Sequence, residues 1–446
     1  MSKRKNKPIV AVVGRPNVGK STLFNVLAGR QISITEDTPG VTRDRIYADC
    51  SWLNYDFTLI DTGGIEPDSG DIILSQMREQ AQIAIDMADV IIFMVDLKTG
   101  LVDSDMRVAD MLRRAHKPVV LCVNKTDNPT KQIADVYEFY NLGIGEPFPI
   151  SAANRTGIGD MLDEVVKGFK EGSGEEEEDE AIYVAVVGKP NVGKSSIVNK
   201  LIGENRLIVS DIAGTTRDAI DTRVRHDGKE YVFIDTAGLR RKNKIKENLE
   251  RYMIVRTVGA VERADITILV IDAKEGITEQ DAKIAGIAHE RGKAVIVAVN
   301  KWDLIEKDNH SVKKFTDKIH QVLSFLSYAE IIFISAQTGQ RLVKLYDEID
   351  LVSANQNMRI QTGVLNEIIN EACVLQQPPS DKGHMLKIMY STQVAVKPPT
   401  FVLFVNTKEL MHFSYLRYLE NRIRDAFGFR GTPLKFIVRE RGENKK

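Results

Sequence analysis

Gly14-Arg15-Pro16-Asn17-Val18-Gly19-Lys20-Ser21 follows directly on the apolar run Ile9 to Val13 and leads into a helical pattern. The same kind of string, Gly188-Lys189-Pro190-Asn191-Val192-Gly193-Lys194-Ser195, follows Tyr183 to Val187, 174 residues further on. A GxxxxGKS segment between strand and helix is a phosphate cradle. Its glycines let backbone N–H groups turn inward, and the helix points its positive end at the anion. Lys20 and Lys194 are placed to reach β- and γ-phosphates, and Ser21 and Ser195 to give a hydroxyl to Mg²⁺. One such match arises easily by chance, whereas two in the same strand–loop–helix setting do not.

Outward from these loops the chain keeps repeating. Thr42-Arg43-Asp44 returns as Thr216-Arg217-Asp218, and Asp61-Thr62-Gly63-Gly64 as Asp235-Thr236-Ala237-Gly238, both again at 174. Asn124-Lys125-Thr126-Asp127 returns as Asn300-Lys301-Trp302-Asp303 at 176, and Ser151-Ala152 as Ser335-Ala336 at 184. An offset that drifts late is what loop insertions produce when the frame is kept. Thr58 to Ile60, Val90 to Val95, Val119 to Val123, Val232 to Ile234, Ile268 to Ile271 and Val295 to Val299 are unbroken apolar runs. Such runs suit parallel strands buried on both faces. The expected fold is α/β, with two Rossmann-like, mostly parallel sheets whose ligands sit at the carboxyl ends of the strands. Every repeated motif falls at such an end.

Each motif has a chemical reading. Asp61 and Asp235 end strands and are placed to hold Mg²⁺, while Gly64 and Gly238 offer N–H groups to a γ-phosphate. Thr42 and Thr216 supply a hydroxyl to the metal from the intervening segment; in the second copy Thr215 is a competing candidate. In Asn-Lys-x-Asp, the carboxylate of Asp127 or Asp303 accepts the two donors on the guanine edge, which adenine does not offer. Asn124 and Asn300 brace that loop, Lys125 and Lys301 pack along the base, and Ser151-Ala152 and Ser335-Ala336 present an N–H to guanine O6. The expected ligand is GTP or GDP with Mg²⁺.

The bulk numbers agree with a globular chain of several domains: 446 residues, 43% hydrophobic and 28% charged. No apolar run approaches the roughly 18 residues of a membrane span, and Met1 to Lys7 is basic and polar, unlike a secretory signal. Cys50, Cys122 and Cys373 are far apart, with no CxxC pair, so a cytoplasmic protein without disulfides or a metal cluster is expected. From Leu351 onward there are 14 Lys/Arg against 8 Asp/Glu, a net of +6 on a chain whose total is −1. That imbalance points to an anionic partner for the C-terminal segment, nucleic acid first. Residues 170–180 hold seven acidic residues with Gly and Ser, and read as a flexible linker rather than an acidic binding tail.

These motifs resemble the translation-factor-related P-loop GTPases. The duplication followed by a short basic segment resembles, over essentially the whole chain, the bacterial Der (EngA) family of ribosome-assembly GTPases. The resemblance implies a GTPase (G) domain at 1–169, the linker at 170–180, a second G domain at 181–352 and a KH-like α+β domain at 353–446. It also implies a monomer that acts on the large ribosomal subunit. Where Ras-like proteins carry the glutamine that orients water, this chain has Ile65 and Leu239. Related GTPases with that replacement and an asparagine in the glycine loop use K⁺, which would make Asn17 and Asn191 its ligands.

The C-terminal segment reads as helix (364–374), strand (386–390), strand (401–405), helix (414–427) and strand (434–438). It lacks a GxxG clamp between its helical elements; Gly428 and Gly431 fall after the second helix, as cap and turn residues do. Arg417, Arg422, Arg424, Arg430, Lys435 and Arg439 are candidate RNA-phosphate contacts, with a solvated basic face as the alternative. Arg240 to Lys244 is a second basic run with the same two readings. The alternative functions are a GTPase in tRNA modification or at a membrane, and a chain in which one copy binds nucleotide without turnover.

Overall fold

The computed structural model describes residues 7–29, 47–62, 73–171, 180–204, 221–235, 249–306, 310–381 and 383–440. Thr42, Gly63, Gly64, Ile65, Thr216, Thr236, Ala237, Gly238, Leu239, most of the acidic stretch and the Arg240–Lys244 run lie outside the described residues.

The chain divides into two compact units. One comprises Lys3–Asp179 and Asn243–Glu262; the other comprises Met1–Ser2, Glu180–Lys242 and Arg263–Lys446. In the first, strands β1 (Ile9–Val13), β2 (Tyr47–Trp52), β3 (Tyr55–Asp61), β4 (Val90–Asp96), β5 (Val119–Asn124) and β6 (Pro147–Pro149) form one sheet in the order β2-β3-β1-β4-β5-β6. All pairs are parallel except β2 with β3, an antiparallel hairpin. β1 and β4 are buried along their whole length, as their unbroken apolar sequences require. Helices Lys20–Ala28 and Ile158–Glu171 contribute Leu23, Phe24, Met161 and Leu162 to a core with Val10, Val12 and Ile92. Helix Leu249–Arg263, which follows the second Asp-Thr-Ala-Gly motif in sequence, belongs to this unit through Glu262. The buried Glu262 accepts a hydrogen bond from Thr58 Oγ1 at 3.0 Å.

The second unit repeats that sheet. Strands β7 (Ile182–Val187), β8 (Thr222–His226), β9 (Lys229–Ile234), β10 (Ile266–Asp272), β11 (Ala294–Asn300) and β12 (Glu330–Phe333) lie in the order β8-β9-β7-β10-β11-β12, with only the β8–β9 hairpin antiparallel. The same unit holds a KH-like domain. After the short hairpin β13 (Ser380–Asp381) and β14 (His384–Met385), it has a sheet of β15 (Ile388–Ala395), β16 (Thr400–Val405) and β17 (Lys435–Glu440). Helices Thr362–Leu375 and Phe413–Phe427 cover one face, with Leu365, Ile369, Leu419 and Ile423 packed on Phe401, Leu403 and Val405. The first strand of the α+β reading therefore lies later than expected, at Ile388–Ala395 rather than 386–390.

The Gly428/Gly431 pair has a structural task. Gly428 caps the last helix at φ 89°, its N–H bonded to Arg424 O. Gly431 sits at φ 75°, and a Cβ there would meet Val352 Cγ2 at 2.2 Å. Its N–H donates to Tyr328 O at 2.7 Å and its C=O accepts from Val295 N at 2.8 Å, which docks the KH-like domain on the second sheet's domain. Three of the candidate RNA-contact arginines are engaged in the same region. Arg424 pairs with Glu420 and donates to Phe429 O and Thr432 O. Arg430 grips Glu330 with two hydrogen bonds, and Arg422 lies 3.7 Å from Glu371. Arg417, Lys435 and Arg439 remain exposed.

Candidate nucleotide sites

Both phosphate loops leave the C-terminal ends of their central strands. Gly14 and Gly19 have φ of 158° and 101°, Gly188 and Gly193 140° and 101°. A Cβ on Gly14 would lie 2.2 Å from Met94 O, and one on Gly188 2.5 Å from Val270 O. Only glycine allows that approach. Asn17 and Asn191 are left-handed at φ 64° and 62° and exposed, a conformation asparagine tolerates better than most residues. Val18 and Val192 are buried anchors, and Pro16 and Pro190 are half-buried in the loops. Lys20 Nζ donates to Gly14 O and Arg15 O at 2.7 and 2.6 Å; Lys194 Nζ donates to Gly188 O and Lys189 O, both at 2.5 Å. Each ammonium is nearly fully buried and held inside its own loop.

In the first copy, Ser21 Oγ donates to Asp61 Oδ2 at 3.0 Å. A hydroxyl and a carboxylate converging beside a phosphate loop are the hard oxygen ligands that Mg²⁺ takes, so the residues present fit the ion. Thr62 faces away: it is buried and donates to Val12 O at 2.5 Å, locking the end of β3 to β1. In the second copy, Asp235 is half-buried at φ 58°, and its N–H donates to Asp221 Oδ1 at 2.9 Å. Ser195 is the second residue of the following helix, Lys194–Glu204.

The guanine-side loops are the most regular feature of the two copies. Asn124 Nδ2 donates to Val18 O at 2.7 Å, and its Oδ1 accepts from Ala152 N at 2.9 Å. Asn300 repeats both bonds, to Val192 O at 2.8 Å and from Ala336 N at 2.9 Å. One buried amide thus ties the phosphate loop to the Ser-Ala loop in each copy. The four bonded backbone groups would otherwise be buried without partners, at a cost of about 1–3 kcal/mol each. Lys125 and Lys301 sit at φ 66° and 63° and donate to Asp96 Oδ2 at 2.6 Å and Asp272 Oδ2 at 2.5 Å. Burial pushes both aspartates up, but the lysine bonds and adjacent backbone N–H groups outweigh it and hold them below the ordinary carboxylate range. Thr126 and Trp302, the variable third positions, point inward. Thr126 donates to Val123 O, and Trp302 packs on Phe315 and Phe333.

The candidate base-reading carboxylates differ between the copies. Asp127 is exposed and takes bonds from Lys98 Nζ at 2.8 Å, Ser151 Oγ at 2.9 Å and Asn154 Nδ2 at 3.3 Å. The Lys98 bond first, then the Ser151 bond, holds it below the ordinary range. Asp303 Oδ1 is buried and has no hydrogen-bond partner among the described residues. Ser335 is buried, its hydroxyl taking the Thr338 N–H at 3.1 Å.

Four aspartates that the motif reading passed over support these loops. Asp96 and Asp272 orient the base-side lysines. Asp105, fully buried, receives Arg15 Nε at 2.9 Å, and Asp281 lies 3.5 Å from Lys189 Nζ, which also meets Glu275 at 2.8 Å. Burial raises Asp105 to about 6 against the pull of Arg15, and raises Asp281 in the same direction. A signal was present: 96 to 272 and 105 to 281 share the late offset of 176.

Two phosphate loops, each tied to a Ser-Ala loop by the buried asparagine of an Asn-Lys-x-Asp segment, define a P-loop GTPase with tandem nucleotide sites. Residues 9–125 and 183–301 each match the family described as 50S ribosome-binding GTPase, and residues 359–439 the KH-domain-like C-terminal domain of EngA bacterial GTPase enzymes. The chain is 73% identical to GTPase Der of Agathobacter rectalis over 440 residues, 99% of this chain and 100% of that one. It is 72% identical to GTPase Der of Lachnospira eligens over 440 residues, with the same shares covered. A crystal structure of Era in complex with MgGDPNP and part of 16S ribosomal RNA aligns at TM-score 0.30 and 24% identity, over 59% of this chain and 94% of that one. The chain belongs to the GTPase Der (EngA) family. It is a GTP hydrolase with two GTP-binding domains and a C-terminal KH-like domain.

Proposed function

We propose that this chain is a nucleotide-controlled switch in biogenesis of the large ribosomal subunit, hydrolysing GTP at both sites in the cytoplasm as a monomer. The observation that carries two working sites is the repeated frame: in both copies the same lysine, asparagine and base-side lysine make the same hydrogen bonds. The ribosomal part rests on the description of the matched family as 50S ribosome-binding GTPase and on the basic C-terminal segment. Among the described residues no helix is long and apolar enough to cross a membrane, which gives no support to action at a bilayer through such a helix.

In this reading residues 1–169 and 181–352 are the hydrolytic modules, 170–180 joins them, and 353–446 is the ribosome-facing module. Lys20 and Lys194 neutralise charge on the β- and γ-phosphoryl groups, and the loop N–H groups of Gly14 to Ser21 and Gly188 to Ser195 orient them. Ser21, Thr42 and Asp61, with Ser195, Thr216 and Asp235, hold Mg²⁺, which when bound withdraws charge from the phosphate oxygens. Gly64 and Gly238 report the γ-phosphate through their N–H groups. Asp127 and Asp303 select guanine.

Ile65 and Leu239 cannot hydrogen-bond the attacking water, so another positive charge has to serve the transition state. We assign it to K⁺ held with the help of Asn17 and Asn191. Turnover is expected to be about tenfold or more higher in KCl than in NaCl at equal ionic strength, scaled from the loss of one charge-stabilising contact. Equal rates in the two salts would remove the ion from the mechanism.

The ribosomal reading is tested by gradient co-sedimentation of the full-length chain with bacterial ribosomal particles, in GDP or a non-hydrolysable GTP analogue. Nucleotide-dependent migration with the large subunit is the expected result. Absence from every particle in both nucleotide states would leave a GTPase without this role.

A further inference from the structure

The KH-like domain presents a second face, opposite its helices, that neither nucleotide chemistry nor a KH clamp uses. Strand register places Tyr390, Phe404 and Arg439 in one row across β15, β16 and β17, and Thr392, Val402 and Ile437 in the next. The alternate residues Phe401, Leu403 and Val405 pack under the helices, so these rows point away from them. Tyr390 is 46% exposed, and its ring centroid lies 6.0 Å from that of Phe404 at an interplanar angle of 38°. Arg439, at the end of the row, is exposed and has no ion pair among the described residues. Lys435 is on the same side of β17, four residues away and so about 13 Å along the strand at ~3.3 Å per residue. The outward positions of the three strands carry these two cations and no carboxylate. Glu440, next in sequence to Arg439, points to the other side and accepts from Lys408 N at 2.7 Å.

We propose that this row is a stacking platform for single-stranded RNA. Bases lie against Tyr390 and Phe404, one phosphate meets the Arg439 guanidinium, and a second phosphate meets Lys435. Aromatic faces on a sheet take unstacked bases of any sequence, here the exposed Tyr390 beside the half-buried Phe404. Edge-strand cations with no ion pair among the described residues complement the backbone that links the bases. The platform does without the GxxG clamp, whose only GxxG string in this domain is committed to docking through Gly431. The proposal deepens the ribosomal reading and rests on it for the source of the RNA.

The test is fluorescence anisotropy of a short fluorescein-labelled single-stranded RNA of mixed sequence with the full-length chain, over a KCl series. Tyr390→Ala is expected to weaken binding roughly tenfold and leave the salt dependence unchanged, while Tyr390→Phe, which keeps the ring, binds as the parent does. Arg439→Gln is expected to lower the slope of log K against log salt by about 0.7, one phosphate contact on a single strand. All three variants should keep the parent's GTP turnover and melting temperature, because the altered side chains are exposed. RNA affinity independent of Tyr390 and Arg439 overturns the platform, even if the chain sediments with the large subunit. If Tyr390→Ala loses ribosomal particles while RNA affinity is unchanged, the face binds protein and the RNA proposal is overturned. Tyr390-dependent RNA binding without sedimentation on any particle upholds the platform and removes the ribosomal reading instead.

Discussion

Asp303→Asn is expected to change the base specificity of the second site from guanine to xanthine. The carboxylate stands just beyond β11, and its buried Oδ1 has no partner among the described residues. Guanine offers two donors, N1–H and the exocyclic amine, to the two oxygens. An amide keeps one acceptor and turns the other position into a donor, which then faces the guanine amine donor to donor. Xanthine carries an oxygen where guanine has that amine, so the amide fits it. Losing one charge-assisted hydrogen bond and leaving polar groups unpaired costs about 3 kcal/mol, about a hundredfold in affinity. Because Asp127 is untouched, binding stoichiometry is the sensitive readout. The variant should bind one GDP and one xanthosine diphosphate per chain, where the parent binds two GDP. Two undiminished GDP sites would show that Asp303 does not read the base.

That prediction was open from sequence alone because the motifs are contiguous and end apolar strands. Glycine loop, Asp61, Asn-Lys-x-Asp and Ser-Ala each sit where a buried parallel strand must stop, and the repeat supplied a second copy of each. Residues that act through another residue were harder to see. Asp96 and Asp272 look like ordinary strand-end caps until Lys125 and Lys301 are found bonded to them. Asp105 and Asp281 look like first-turn helix acids, and only the fold brings Arg15 and Lys189 to them. The edge strands β2 and β8 were missed because their polar, half-exposed sequences show no apolar run. β15 was placed too early for the opposite reason. Its buried side carries Ser391 and Gln393, which break the apolar alternation and read as a loop. Their polar groups are satisfied within the core, Ser391 by Asn366 at 2.8 and 2.9 Å and Gln393 by Ile360 N and Met358 O. Periodicity fails where a buried polar group has found its partner, since burial without one is the costly case.

The phosphate-loop lysines carry the other large effect. Lys20→Ala and Lys194→Ala are each expected to lower GTP turnover at their own site by about 10²–10³-fold, the usual loss when one preorganised positive contact to the developing charge is removed. Each lysine is buried and bonded to two carbonyls of its own loop, so truncation also leaves those carbonyls without a donor. The loop frame survives in part, because Asn124 and Asn300 still tie Val18 and Val192 to the Ser-Ala loops. A GDP-induced rise in melting temperature therefore separates lost binding from lost chemistry in each variant. Since the two sites lie on separate sheets, their rates add: with both sites active, either single variant keeps the other site's share and the double variant falls to background. If Lys20→Ala leaves total turnover unchanged while Lys194→Ala removes it, the first copy holds nucleotide without hydrolysing it. The Lys98 bond to Asp127, which has to yield when guanine docks, would then be the first place to look for the reason.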